Sequence, residues 1–189
     1  MPGLPMSDSE ARIGAFGKLP ALGDFVARGL DPSFTEAWHG WLERGLAAAR
    51  ADLGESFLPA YMQAPAWRFA LTAGLAGELP VTGIMVPSVD AVGRWFPLTL
   101  AAAGGRAEEP WYDALEVHAR LALADEPLDA WLAGLAELPM PDATDTEIEP
   151  VTFWSEGSPF VQPGMLCFAE LPSGTDFHRL LLEPALAPA

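Results

Sequence analysis

The chain of 189 residues has the length of one ordinary domain, and its 50% hydrophobic content is enough to bury a sizeable core, which excludes disorder of the whole chain. Ten Lys and Arg against 26 Asp and Glu leave a formal net charge of -16, which repels the phosphates of DNA and RNA and disfavours anionic membrane surfaces. The single cysteine, Cys167, excludes an intramolecular disulfide framework and fits a reducing compartment, so the cytoplasm is the expected location.

Met1 to Arg12 is rich in Pro, Ser and charge and lacks both the basic start and the apolar run of a secretory signal. It reads as a flexible N-terminal segment, residues 1–12, ahead of a single domain over 13–183. Ile13 to Leu19 reads as a first strand, after which Pro20 and Gly23 impose a turn that brings Lys18 and Asp24 close together before Phe25 and Val26. Ser33 and Glu36 form a capping-box pattern, and Phe34, Trp38, Trp41, Leu42, Gly45, Ala49 and Leu53 then repeat at helical spacing up to a stop at Gly54. Phe57, Leu58, Tyr61 and Met62 mark a short second helix ending before Pro65.

Trp67 to Thr72 places its large apolar residues at every second position, as a strand with a buried face does. Val81 to Val86 and Trp95 to Ala102 follow across loops short enough for hairpins, which favours antiparallel neighbours. From Glu109 to Glu137 the pattern is helical, with Trp111, Leu115, His118 and Ala122 on one stripe and Pro127 dividing two helices. Pro139 to Pro150 carries Asp142, Asp145, Glu147 and Glu149 and reads as a solvated connection. Val151 to Trp154 and Met165 to Ala169 read as late strands, and Asp176 to Leu182 as a closing helix before a tail, 184–189. The order predicts an α+β fold, an α/β sandwich with a mainly antiparallel β-sheet of about five to six strands covered by helices. No stretch reaches the roughly 20 apolar residues of a spanning helix, so direct membrane insertion is not expected.

Few residues suggest chemistry. Gly17-Lys18 resembles the end of a phosphate-binding loop, but Leu19 stands where the hydroxyl belongs and Ala11 where the first glycine belongs. Ser88 and Asp90 with His39, His118 or His178 would make a Ser-His-Asp set, yet no G-x-S-x-G elbow accompanies them, and a loop whose Ser and Asp bond main-chain amides is the plainer account. The histidines are too scattered for a metal site, and the acidic connection lacks the order of a calcium loop. Lys18, Arg28, Arg68 and Arg94 lie beside strands and turns near Asp24 and Asp90, and they either form internal pairs that orient loops or shape one polar interaction surface. Trp38, Trp41 and Trp67 lie on periodic apolar faces and are expected in the core.

The segments GAFGKLPALGDFVARGL, SFTEAWHGWLERGLAAAR, APAWRFAL and GIMVPSVDAVGRWFPLTLA, strongest over Gly14 to Gly104, with FWSEG from Phe153 to Gly157, together resemble the TagF (ImpM) family of bacterial type VI secretion. The motif positions are Gly17, Lys18, Pro20, Gly23, Asp24 and Phe25, then Trp67, Arg68, Pro87, Ser88, Asp90, Gly93, Arg94, Phe96 and Pro97, with Leu22 where many relatives carry a basic residue. The resemblance implies an antiparallel sheet with helices around it and a cytoplasmic, non-enzymatic regulator. Such a regulator represses secretion after translation through the system's FHA-domain scaffold protein. The residues themselves suggest no cofactor and no metal. In some relatives a TagF-like domain is fused to a serine/threonine phosphatase, and nothing in this chain resembles one. A structural component of the secretion machine, or a hydrolase using Ser88 and Asp90, are the competing readings. The candidate interaction residues are Lys18, Asp24, Phe25, Arg28, Trp67, Arg68, Ser88, Asp90, Arg94 and Phe96.

Overall fold

A computed structural model describes residues 12–124, 126–142 and 149–183. The expected N-terminal segment apart from Arg12, the tail 184–189, and Asp145 and Glu147 of the acidic connection lie outside the described residues. Among the described residues seven strands form one sheet: β1 Gly14–Lys18, β2 Phe25–Arg28, β3 Trp67–Leu71, β4 Val81–Val86, β5 Leu98–Ala103, β6 Val151–Ser155 and β7 Gly164–Phe168. Their order is β2-β1-β5-β4-β3-β6-β7, and every neighbouring pair is antiparallel. The sheet therefore exceeds the expected five to six strands. The additional strand is β2, whose four residues are too few to show an alternation in the sequence and which is recognisable only by its pairing with β1.

The strands β1, β3, β4 and β6 are buried along their whole length, because helices cover both faces of the sheet. On one face lie α1 Pro32–Leu53, α2 Phe57–Met62 and α5 Gly174–His178; on the other lie α3 Glu109–Leu123 and α4 Leu128–Glu137. Alternation sorts each strand between the layers: Trp67, Phe69 and Leu71 of β3 join the α1 side, while Ala70 joins the α3 side. The three expected core tryptophans are buried, and each satisfies its indole N–H: Trp38 donates to Thr99 Oγ1 at 2.9 Å, Trp41 to the Pro172 carbonyl and Trp67 to the Leu180 carbonyl, both at 2.8 Å. Trp38 also stacks on Phe69 with ring centres 4.7 Å apart, which fixes α1 against β3. No helix among the described residues is long and apolar enough to cross a membrane.

In three elements an end differs from the sequence reading by more than one residue. The cap of α1 is Asp31, not Ser33: Asp31 Oδ1 accepts from the amides of Ser33 at 2.8 Å and Phe34 at 3.4 Å. Pro32, with its preset φ and no N–H to satisfy, opens the helix one residue later. The strand expected from Trp95 begins at Leu98, since Pro97 cannot donate to a ladder and Trp95 makes only an isolated bridge to Val89. The closing helix is the short α5 and stops at His178, after which the chain turns so that the Leu180 carbonyl meets Trp67. Gly45 is what lets α5 approach α1, since a Cβ there would stand 2.3 Å from the Phe177 ring.

On the other face, His118 and Trp131 lock α3 to α4 reciprocally. His118 Nε2 lies 2.9 Å from the Trp131 carbonyl, Trp131 Nε1 donates to the His118 carbonyl at 3.0 Å, and the rings stack at 5.3 Å. Burial pushes the His118 imidazole below its ordinary 6.5, more than the bond to Trp131 and the charge of Glu126 raise it. The unfolded chain then takes up a proton at a pH where the folded chain resists it. Stability is accordingly level above about pH 6.5 and declines as the pH falls from there through the depressed folded value. Denaturant midpoints measured across this range should show the decline in the wild type and a flatter profile in His118→Leu.

Candidate functional site

At one end of the sheet, the turn after β1 and the loop after β4 are knitted together by buried polar groups. The centre is Asp90, whose side chain is 0% exposed. Its Oδ2 accepts from Lys18 Nζ at 2.9 Å and Arg94 Nε at 2.7 Å, and its Oδ1 from the amides of Arg94 at 2.8 Å and Val92 at 3.1 Å. Burial acts to raise the Asp90 carboxyl pKa, but these four donors outweigh it and hold the group well below the usual carboxylate range. Arg94 continues outward and donates from Nη2 to the Gly23 carbonyl at 2.6 Å, while the Ala91 amide donates to Leu22 at 2.8 Å. Ser88 closes the other side: its Oγ donates to the Lys18 carbonyl at 2.7 Å.

Local backbone makes this arrangement possible. Gly93 has φ 82° and closes the turn in which the Asp90 amide bonds the Arg94 carbonyl at 2.9 Å. Gly17 has φ 133°, and a Cβ there would stand 2.0 Å from the Pro97 carbonyl oxygen, so β1 can lie against the loop after residue 96 only through a glycine. Phe16, Phe25 and Phe96 wall the junction on the α1 side and surround His39, with ring centres 5.2–5.6 Å from the imidazole. Lys18 Nζ lies 5.4 Å from the centre of the Phe25 ring, a cation over an aromatic face.

The structure brings Lys18, Asp24, Phe25, Ser88, Asp90, Arg94 and Phe96 to this junction, but not in the pairings the sequence suggested. Lys18 pairs with Asp90 and not with Asp24, whose carboxylate turns back to accept from the Phe25 amide at 2.8 Å. The four cations do not shape a single surface. Arg28 is exposed on β2 with its Nη1 on the Ala27 carbonyl, and Arg68 points from β3 to the opposite face of the sheet. There Arg68, 5% exposed, donates to Glu116 at 2.8 Å, Glu109 at 2.5 Å and Asp113 at 2.7 Å. Burial alone would lower the pKa of the guanidinium, but the bonds to Glu116 and Glu109 and the nearby charges raise it, so Arg68 stays a cation in the core. Trp67, its neighbour, is a core residue of the α1 side.

Sequence reading missed Tyr61 and the acidic face of α3. Tyr61 Oη donates to the Ser88 carbonyl at 2.8 Å and accepts from the Ser88 amide at 3.1 Å, pinning α2 to the loop, and burial raises its pKa. The signal for Glu109, Asp113 and Glu116 was their spacing of four and three, which puts them on one helix face. None of the three histidines is a partner of Ser88 or Asp90. His39 sits among the phenylalanines, His118 lies between α3 and α4, and His178 Nε2 is 3.5 Å from Asp52 on α1. Among the described residues no group of three or more His, Cys, Asp or Glu could hold a metal ion.

Two outcomes follow for this junction. Gly17→Ala, forced into a strained φ against the Pro97 carbonyl, should cost at least about 1–3 kcal/mol of unfolding free energy. The depressed Asp90 pKa contributes stability that is complete above the ordinary carboxylate value of 3.8 and is lost as the pH falls through the folded value. Acid unfolding followed by circular dichroism should therefore show a weaker pH dependence below about 4 in Asp90→Asn, which starts from a lower melting temperature.

A family model described as the TagF N-terminal domain, type VI secretion system-associated, matches residues 14–149. The crystal structure of PA0076 from Pseudomonas aeruginosa PAO1 is similar to this chain at 32% identity, with a TM-score of 0.83, covering 90% of this chain and 94% of that one. No curated protein matches the chain. The strands β6 and β7 lie beyond the residues matched by the family model, yet β6 pairs with β3 along four residues and belongs to the same sheet.

Proposed function

Because the chain belongs to the type VI secretion-associated TagF family, we propose that it is a cytoplasmic, non-enzymatic repressor of a bacterial type VI secretion system, acting after translation by binding the system's FHA-domain scaffold protein. Family membership is the observation that carries this reading. The bonding of the motif residues supports it: Lys18, Ser88, Asp90 and Arg94 direct their polar groups to one another and to the main chain. Side chains held in this way fix the shape of a loop and are poorly placed to attack or protonate a substrate.

The charge gives the encounter a direction. FHA domains present a basic surface that reads phosphothreonine, and a chain of net charge -16 is drawn to such a surface from a distance. Long-range attraction raises the association rate at low salt and is screened at high salt.

The test is a titration of the purified chain against the FHA-domain scaffold encoded with the same secretion system, in unphosphorylated and phosphorylated forms and at two ionic strengths. Saturable binding is expected, with an association rate about tenfold or more faster at low salt. Deleting the gene should release secretion. Absence of binding to either form overturns the repressor reading, and loss of secretion on deletion makes the protein a component of the machine.

A further inference from the structure

The two edges of the sheet are finished differently. At β2, the exposed Arg28 turns its guanidinium back on its own strand and donates to the Ala27 carbonyl at 2.8 Å, so a charge and an occupied carbonyl guard that edge. At β7, Gly164, Met165, Leu166, Cys167 and Phe168 carry no charge and no proline. All five pair with β6 on one side, and no described residue pairs with them on the other. Met165 is 49% exposed and Cys167 is exposed, while Leu166 and Phe168 pack partly against the core. A bare, apolar strand edge of this kind is a template for another strand.

We propose that β7 pairs antiparallel with β7 of a second copy of this chain, joining two seven-stranded sheets into one. The strand is complementary to itself about a two-fold axis through Leu166. Gly164 then faces Phe168 of the second copy, Met165 faces its Cys167, and Leu166 meets its own equivalent. Nothing lies within 4 Å of where a Gly164 Cβ would stand, which leaves room for the opposing Phe168 ring to cover the glycine. The net charge of -16 opposes the approach of two copies, and β7, with no carboxylate on the paired strands, is where that opposition is least. Five residues a side fall well short of the roughly 20–30 of a standard interface, so the pairing is weak and governed by concentration. Repulsion between the remaining charges makes it tighten as salt is added.

Sedimentation velocity of the full chain over a concentration series, at low and high salt, tests the proposal. A monomer–dimer equilibrium that shifts to dimer with concentration and with salt is expected. Met165→Lys sets two ammonium groups diagonally across the pairing on an exposed position, and it should abolish the dimer with the melting temperature unchanged. Hydrogen exchange should slow at the amides of β7 as concentration rises, and not at those of β2. A chain that stays monomeric at every concentration in high salt overturns the pairing. So does a dimer that Met165→Lys leaves intact, or one in which the β7 amides exchange as fast as in the monomer.

Discussion

A carboxylate removed from water has to be met by donors, and Asp90 is met by four, from Lys18, Arg94 and two main-chain amides. The requirement organises a whole end of the molecule. Lys18 is the last residue of β1 and Asp90 lies in the loop after β4, so the ion pair spans 72 residues of sequence and ties the sheet's β2-β1 side to the hairpin that follows β4. The glycines at 17 and 93 and the hydroxyls of Ser88 and Tyr61 then follow as conditions for that approach. Of the family's motif residues, Lys18, Ser88, Asp90 and Arg94 are accordingly bound to one another, while Arg68 is held on the opposite face.

A second buried charge repeats the logic on the opposite face. Arg68 leaves β3 toward α3, and three carboxylates on one side of that helix receive its three donor nitrogens. Arg106 and Arg120 bring further positive charge to the same carboxylates, which keeps the cluster from being an unbalanced acidic site. Truncating one member of such a buried set is costly because it strands the others, whereas the net stability of the intact set is small. The two charge clusters differ in reach: Asp90 joins loops, and Arg68 fastens a helix layer to the centre of the sheet.

Covering both faces of an antiparallel sheet with helices leaves only its edges for contact through the backbone. One edge carries its own arginine, and the other is apolar and has no pairing partner among the described residues, which is the asymmetry that the proposed pairing uses. The net charge of -16 and the internally bonded motif loop are the two physical features on which the proposed binding role rests, a field that acts at a distance and a loop of fixed shape.

Local properties were legible in the sequence. Helical spacing in Phe34 to Leu53, alternation in Trp67 to Leu71, the division at Pro127 and the burial of Trp38, Trp41 and Trp67 each follow from period and side-chain volume, and the family follows from motif order. The number of strands, the cap at Asp31 and the strand order did not, because β2 is defined by its partner and a cap by the geometry of one turn. Lys18 lies six residues from Asp24 and 72 from Asp90, and proximity in sequence favoured the wrong carboxylate. Only the tertiary structure decides between them, since a charge selects the partner that shares its burial, and burial is set by how distant strands and loops close over it.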